Sequence, residues 1–168
     1  MIEAMKAIKA IAMDVDGVLT DGGLWITTSG EESKRFSFSD VTAIGLARKA
    51  DIKLALISGE SSPGGMNLVD RYSARLKITN VYKACHDKPA AVRDFAEKNG
   101  LQLSEICFIG DDYIDAPAME IVGLAVAPAD AQECAKASAD MITVRNGGQG
   151  AVREVVDAIL KIRATPVS

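Results

Sequence analysis

The sequence has few of the residues that mark secreted, disordered or membrane-spanning proteins. Its three cysteines, Cys85, Cys107 and Cys134, form no C-x-x-C pair, so neither a disulfide framework nor a zinc site is expected. Five prolines in 168 residues are too few for a disordered chain. No apolar run approaches the ~18 residues that cross a bilayer, and residues 1–13 do not follow a signal-peptide pattern. We therefore expect a cytoplasmic protein with reduced thiols and no membrane partner.

Basic residues are also in the minority. The 23 acidic residues outnumber the 19 basic ones and give a net charge of −4, whereas a nucleic-acid binder normally needs a basic surface. This balance is still compatible with a local basic pocket for one anionic metabolite. With 48% hydrophobic residues, a chain of this length can bury a core without disulfides or structural metals. We expect one domain over residues 1–168.

The apolar residues fall into short runs that stop at polar residues or glycines. Runs of roughly four to eight such residues suit strands that are buried on both faces of a sheet. The candidate strands are residues 8–13, 54–57, 106–109, 121–127 and 141–144.

Helical patterns separate these strands. Asp40 is the expected N-cap of one helix, Pro89 suits the first turn of another that stops at Gly100, and residues 150–162 form the last. Alternating strands and helices indicate an α/β fold, a Rossmann-like parallel sheet with helices on both faces. We expect no cap domain.

One segment interrupts this alternation. Residues 24–28 and 33–38 flank a glycine-containing turn and predict a β-hairpin, within an insertion at about residues 22–38. Because the insertion follows the first strand directly, we expect a hairpin flap that projects near Asp14.

Polar residues follow the strands, and in a parallel sheet ligands bind beyond the carboxyl ends of the strands. Asp14 and Asp16 follow the first strand, Ser58 follows the second, and Lys88 lies at the entry of a helix. A further strand is followed by three acids, Asp111, Asp112 and Asp115. Acids in one crevice repel one another unless a cation lies between them, and an all-oxygen ligand set favours Mg²⁺.

With Mg²⁺ and a phosphate in this crevice, the remaining groups acquire roles. A carboxylate can attack phosphorus and form an aspartyl-phosphate, and an acid two residues further can protonate the leaving oxygen and then activate water. Ser58 and the backbone N–H groups of Gly59 and Glu60, which we expect to open a helix, form an anion site. Lys88 would neutralise charge on the phosphoryl oxygens.

Four segments have the order of a known set of motifs. They are DVDGVLTDG at residues 14–22, Ser58, Lys88 and GDDYID at residues 110–115. Together they resemble the haloacid dehalogenase superfamily of phosphatases. The chain is most similar to its small capless branch, the 3-deoxy-D-manno-octulosonate 8-phosphate phosphatases and their nonulosonate (KDN or sialic acid) 9-phosphate relatives. The similarity extends to GEESK at residues 30–34 and GGQGAVRE at residues 147–154.

The resemblance implies a phosphatase that uses Mg²⁺ to hydrolyse the phosphate monoester of a 3-deoxy ulosonic acid. It implies that Asp14 is the nucleophile and that Asp16 is the general acid and base. Ser58 and Lys88 would hold the phosphoryl group, and Lys88 would take part in catalysis.

The resemblance also implies a metal site and an assembly. Mg²⁺ would be held by the Asp14 carboxylate, the main-chain carbonyl of Asp16 and Asp111, with Asp112 and Asp115 as supporting acids. Similar proteins form tetramers in which the hairpin of one subunit helps to cover the active site of a neighbour. We therefore expect a homotetramer.

Two departures from the octulosonate phosphatases bear on the sugar. That branch usually has Arg-Asp-Gly where this chain has Ser-Asp-Val at residues 39–41, and an arginine where this chain has Glu60. With Glu60 at this position the chain is more similar to the nonulosonate branch. An acid there suits sugar hydroxyls or an amine better than a second anion. Arg71 and Arg75, on the following helix, are candidates for binding a sugar carboxylate.

Two other functions remain open. Similar domains appended to animal CMP-sialic acid synthetases have lost parts of the motifs and serve assembly, so one alternative is a non-catalytic oligomerisation or regulatory domain. The other is a phosphatase of the same chemistry that acts on an unrelated small phosphorylated substrate. The complete set of motif residues favours catalysis.

Overall fold

The computed structural model describes residues 1–164, which form a six-stranded parallel sheet and a separate two-stranded hairpin. The strands are β1 (Ala10–Met13), β2 (Trp25–Ile26), β3 (Glu32–Ser33), β4 (Lys53–Ile57), β5 (Asn80–Tyr82), β6 (Ile106–Ile109), β7 (Leu124–Ala127) and β8 (Met141–Ile142). The order in the main sheet is β5-β4-β1-β6-β7-β8. The hairpin consists of β2 and β3, which pair antiparallel.

Seven α-helices connect and cover the strands in residues 1–164. They are α1 (Ile2–Ala7), α2 (Phe38–Lys49), α3 (Pro63–Leu76), α4 (Lys88–Asn99), α5 (Ala116–Met119), α6 (Glu133–Ala137) and α7 (Ala151–Ala164). None of these helices is both long enough and apolar enough to span a membrane. The predicted α/β fold without a cap domain is confirmed, since the hairpin is the only other strand pair in this part of the chain.

The strand β1 organises the core because it pairs with β4 on one side and with β6 on the other. Side chains alternate between the two faces of a strand. Ile11 and Met13 therefore join the hydrophobic core beneath α2 and α7, whereas Ala10 and Ala12 join a second core that contains Phe95 of α4. Burial of β1 on both faces explains its continuous apolar run.

Three strands are shorter than their apolar runs predict. The run at residues 8–13 yields only β1, because α1 continues to Ala7 and Ile8 is its C-cap. The run at residues 121–127 yields only β7, because the amide of Gly123 donates to the carbonyls of Leu103 and Ile106 in a turn before the strand. The run at residues 141–144 yields only β8. The amide of Val144 donates to the Glu154 carboxylate, which takes the chain away from the sheet.

The hairpin is present as predicted, but both of its strands are shorter than the predicted residues 24–28 and 33–38. Trp25 lies opposite Ser33 and Ile26 lies opposite Glu32, so each strand has only two residues. The predicted extension to residue 38 is wrong, because Phe36 turns away and stacks on Tyr72 of α3, with ring centroids 3.5 Å apart.

Asp40 does not have the predicted role of N-cap. The N-cap of α2 is Ser37, whose hydroxyl accepts from the amide of Ser39. Asp40 lies in the first turn, fully buried, and its two carboxylate oxygens accept from the amides of Gly150 (3.1 Å) and Arg153 (2.9 Å). It therefore satisfies amide groups at the start of α7, a helix more than a hundred residues further along the chain. Burial raises the pKa of Asp40 above its usual value, although the hydrogen bonds from these two N–H groups lower it in part.

We predict that Asp40→Ala lowers the free energy of unfolding by about 2–4 kcal/mol, because the amides of Gly150 (buried) and Arg153 (partly buried) at the start of α7 lose their acceptor. The measurement is urea denaturation. Thr42→Ala is the matched control, since its hydroxyl bonds to Phe38 on the exposed face of the same helix; its expected effect is within about 0.5 kcal/mol. Equal losses in the two variants would contradict the assigned role of Asp40.

Candidate active site

The carboxyl ends of β1 and β6 bring the predicted acids together. Asp14 directly follows β1, and Asp111 lies two residues after its neighbour β6. Carboxylate oxygens of Asp14, Asp111 and Asp115 lie within 4.8 Å of one another. Gly17 permits this approach, because its φ of +79° suits glycine and a Cβ atom there would overlap the Asp111 carboxylate.

Lys88 joins two of these acids. Its Nζ atom lies 2.9 Å from Oδ2 of Asp14 and 2.6 Å from Oδ1 of Asp115. The side chains of Lys88 and Asp115 are fully buried, and that of Asp14 is almost so. Burial by itself disfavours the ammonium, but the charges of Asp14 and Asp115 outweigh it and raise the pKa of Lys88. Lys88 is therefore a fixed positive charge beside the predicted nucleophile.

Asp115 orients both Lys88 and the loop after β6. One of its oxygens accepts from Lys88, and the other accepts from the amides of Asp111 (3.0 Å) and Asp112 (3.2 Å). Asp112 is not brought into the acidic cluster. Its carboxylate instead accepts from the amide of Tyr113 at 2.6 Å.

The acidic cluster has the electrostatics of a cation site. Burial, followed by the charge of Asp115, raises the pKa of Asp14 to about 7, although Lys88 and the amide of Val15 lower it. Burial, followed by the charge of Asp14, raises the pKa of Asp111 to about 8. A divalent cation removes this penalty by neutralising the carboxylates. Three converging carboxylates are a hard, all-oxygen donor set, and they fit Mg²⁺.

Ser58 reaches the same edge of the sheet from β4, the other neighbour of β1. It is buried, and its hydroxyl accepts from the amide of Glu60 at 3.1 Å. The expectation that Gly59 and Glu60 open a helix is wrong. The helix α3 begins four residues after Gly59, with Ser62 as its N-cap, because the Ser62 hydroxyl accepts from Gly65.

The loop at residues 147–150 packs on the loop that carries Asp14 and Asp16. The amide of Gly148 donates to the carbonyl of Val18 at 2.9 Å. A Cβ atom on Gly147 would overlap the carbonyl of Gly17, so glycine is required at this contact. Gly147 and Gly148 thus pack against the loop after β1, and they allow the two loops to approach closely.

Arg71 and Arg75 lie on α3 and do not belong to the acidic cluster. They line a cavity of about 320 Å³ together with Lys34, Phe36, Leu68 and Tyr72. The Tyr72 hydroxyl is buried, and it has no hydrogen-bond partner within residues 1–164. The guanidinium of Arg75 also lies 5.7 Å from the ring centroid of Phe38.

Lys34 is a site residue that the sequence did not single out. It follows the second strand of the hairpin, and its Nζ atom contacts the carboxylates of Asp16 at 2.8 Å and Glu60 at 3.1 Å. Burial acts first on its pKa and lowers it, but hydrogen bonds to the two acids more than compensate, so the pKa of Lys34 is raised. The GEESK segment was the only signal in the sequence, and it does not indicate which partner the lysine meets.

Comparisons with known proteins bear on this arrangement. A sequence profile of haloacid dehalogenase-like hydrolases matches residues 65–155, which include Lys88 and Asp111. The 3-deoxy-D-manno-octulosonate 8-phosphate phosphatase of Escherichia coli (strain K12) is 40% identical over 160 residues, 95% of this chain and 83% of that protein. The chain belongs to the haloacid dehalogenase-like hydrolase family. The predicted family and its hydrolase class are confirmed.

Solved structures of this family extend the comparison to the fold. The 3-deoxy-D-manno-octulosonate 8-phosphate phosphatase from Moraxella catarrhalis, in complex with magnesium, phosphate and KDO, is 36% identical with a TM-score of 0.91. The match covers 96% of this chain and 91% of that one. The cobalt-bound phosphatase from Haemophilus influenzae is also 36% identical, with a TM-score of 0.89 and coverage of 95% and 91%.

We predict that Mg²⁺ raises the Tm of this protein through Asp111. At about 100 times its Kd a ligand stabilises a protein by about 2.7 kcal/mol, roughly 5–10 °C for a chain of this length. Asp111→Asn should lose this rise, because its amide neither balances the cation charge nor completes the cluster. Asp112→Asn is the matched control and should keep the rise. The measurement is differential scanning calorimetry with and without Mg²⁺; a full rise in Asp111→Asn would contradict the assigned site.

Proposed function

We propose that this protein is a Mg²⁺-dependent phosphatase whose substrate is the phosphate monoester 3-deoxy-D-manno-octulosonate 8-phosphate. The observation that carries the proposal is the buried bridge from Lys88 to Asp14 and Asp115, beside Asp111, at the end of the central strand. This arrangement suits phosphoryl transfer. Relatives that share 40% of their residues over nearly the whole chain are named for this substrate.

Three groups would hold the metal, namely the Asp14 carboxylate, the main-chain carbonyl of Asp16 and the Asp111 carboxylate. Asp115 is better suited to the lysine and the loop, since it is fully buried and already accepts from three donors, namely Lys88 and the amides of Asp111 and Asp112. When bound, Mg²⁺ supplies positive charge that offsets the acids and the phosphoryl oxygens. Asp112 would contribute only to the negative potential of the loop.

Asp14 is the proposed nucleophile. Its Oδ1 atom accepts from the amide of Val15 at 2.7 Å and its Oδ2 atom contacts Lys88, so the side chain is held in one orientation. A carboxylate oxygen attacks phosphorus, a P–O bond forms, and the bond from phosphorus to the sugar oxygen breaks. Ser58 and Lys88 would hold the phosphoryl oxygens, because a hydroxyl and an ammonium both donate to them.

Asp16 is the proposed general acid and base. Protonated Asp16 gives its proton to the departing sugar oxygen, so the leaving group is an alcohol. The resulting carboxylate then takes a proton from water. The water oxygen bonds to phosphorus, the bond to Asp14 breaks, and inorganic phosphate is released.

The cavity beside α3 is the proposed place for the sugar acid. Arg71 and Arg75 are cations that line it, and guanidinium groups bind carboxylates in a bidentate manner. Glu60 gives little support to a nine-carbon substrate, because its two oxygens already accept from Lys34 and from the amide of Ser62. We therefore favour the eight-carbon sugar over the nonulosonates.

We also propose that the protein is a homotetramer in which the hairpin covers a neighbouring site. Trp25 and Ile26 in β2 are 70% and 65% exposed, and Phe38 is 75% exposed. A two-stranded ribbon is marginally stable by itself, and large exposed apolar groups favour an interface.

The thiols of Cys85 and the other two cysteines are free, which supports a cytoplasmic location.

We predict that Asp14→Asn lowers phosphate release at least about 10³-fold, because an amide is a poor nucleophile for phosphorus. The measurement is Mg²⁺-dependent release of phosphate from octulosonate 8-phosphate. Asp70→Asn is the control: it removes a surface ion pair with Lys83 and should leave the rate unchanged within about twofold. A wild-type protein that forms an oligomer but releases no phosphate would favour the non-catalytic domain instead.

A second prediction concerns the substrate. We expect kcat/KM to be higher for octulosonate 8-phosphate than for KDN 9-phosphate or N-acetylneuraminate 9-phosphate by about 10-fold or more, the discrimination that a few contacts provide. The three sugars are compared at saturating Mg²⁺ with the same enzyme preparation. A preference for a nine-carbon sugar would restore Glu60 as a specificity residue, and activity only on other phosphomonoesters would indicate an unrelated substrate.

A further inference from the structure

Lys34 links the hairpin to two loops at the edge of the sheet. Its side chain is only 5% exposed, although it belongs to a segment whose other side chains mostly face solvent. The ammonium donates to Oδ2 of Asp16 at 2.8 Å and to Oε2 of Glu60 at 3.1 Å. Asp16 belongs to the loop after β1 and Glu60 to the loop after β4, so one side chain joins three segments of the chain.

The second oxygen of each carboxylate is also occupied. Oδ1 of Asp16 accepts from the hydroxyl of Thr20 at 3.3 Å. Oε1 of Glu60 accepts from the amide of Ser62 at 2.9 Å. Asp16 is therefore held between Thr20 and Lys34, and Glu60 is anchored to the start of α3. Glu60 therefore connects Lys34 to the start of α3.

We propose that Lys34 is a positioning residue that fixes the carboxylate of Asp16 for proton transfer, and that Glu60 acts through Lys34. This inference rests on the proposed function, in which Asp16 is the general acid. The chain Glu60–Lys34–Asp16 makes the geometry of the acid depend on the hairpin being in place. Removal of the lysine leaves Asp16 with a single long hydrogen bond, and small misplacement of a catalytic group costs about 10²-fold in rate.

The first test compares two leaving groups. An alkyl alkoxide needs a proton as it departs, whereas p-nitrophenolate leaves without one. In Lys34→Met, kcat/KM should fall about 10- to 100-fold on octulosonate 8-phosphate and less than about threefold on p-nitrophenyl phosphate, because only the former needs the acid. Lys34→Arg should retain much of the wild-type kcat/KM on octulosonate 8-phosphate, because it keeps a donor for Asp16. Equal falls on both substrates would overturn the positioning role.

Arg35→Met is the matched control. Arg35 is the next residue of the hairpin segment, and its Nε atom contacts Asp21 at 3.1 Å, in an exposed ion pair with the loop after β1. Its loss also loosens the hairpin but leaves the contact with Asp16. Its kcat/KM should stay within about twofold of the wild-type value on both substrates. A leaving-group dependence like that of Lys34→Met would mean that hairpin order in general is responsible, and would overturn the specific role of Lys34.

A double-mutant cycle tests the role of Glu60. If Glu60 acts through Lys34, Glu60→Gln should lower the rate in the wild-type background and change it less than about twofold in Lys34→Met, because coupled residues are not additive. If Glu60 binds the sugar directly, its substitution should raise KM by the same factor in both backgrounds. That second result would overturn the inference.

A readout that does not depend on activity separates this inference from the proposed function. If the wild-type protein releases phosphate from no substrate, the proposed function fails and the bridge is tested by hydrogen exchange. Lys34→Met should then speed exchange at the amides of Thr27 and Gly30, which are bonded within the hairpin, and at Gly17, which donates to Thr20. Unchanged exchange at Gly17 would show that Lys34 does not order the Asp16 loop.

Discussion

A buried ammonium between two buried carboxylates is the interaction on which the site depends. Removing three charged groups from water costs several kcal/mol for each, and the cost is recovered only when geometry is good and every oxygen has a partner. Lys88 meets this condition because Asp14 follows β1 and Asp115 lies at the end of the loop after the adjacent strand β6. The central position of β1, the loop after β6 and the first residue of α4 must therefore all be correct together.

A second lysine repeats this arrangement nearer the surface. Lys34 also joins two carboxylates, but it follows a hairpin in which each strand has only two residues. The inner lysine thus depends on the sheet, and the outer one depends on a weakly supported ribbon. The proposed nucleophile is held rigidly by the first, whereas the proposed acid is held by a segment that needs further contacts to be stable.

Several elements were predictable because local pattern and tertiary environment agree. The run at residues 106–109 has the same bounds as β6, and α4 ends at Gly100 as predicted, in the left-handed conformation that glycine favours. Asp40 was misread because a helix N-cap and a buried acceptor for a distant helix look the same in sequence. Lys34 was missed because its partners, Asp16 and Glu60, are 18 and 26 residues away.

The sequence by itself determined the α/β class, the edge of the sheet at which the acids gather, and the three acids that the structure brings together there. These follow from local rules, since apolar runs end where polar residues begin and parallel strands end at one edge. Only the tertiary structure decided which oxygen faces which donor. It assigned Asp115 to Lys88, removed Asp112 from the cluster and joined Glu60 to Lys34. Such pairings depend on distances between loops that are far apart in sequence, and no periodicity or spacing encodes them.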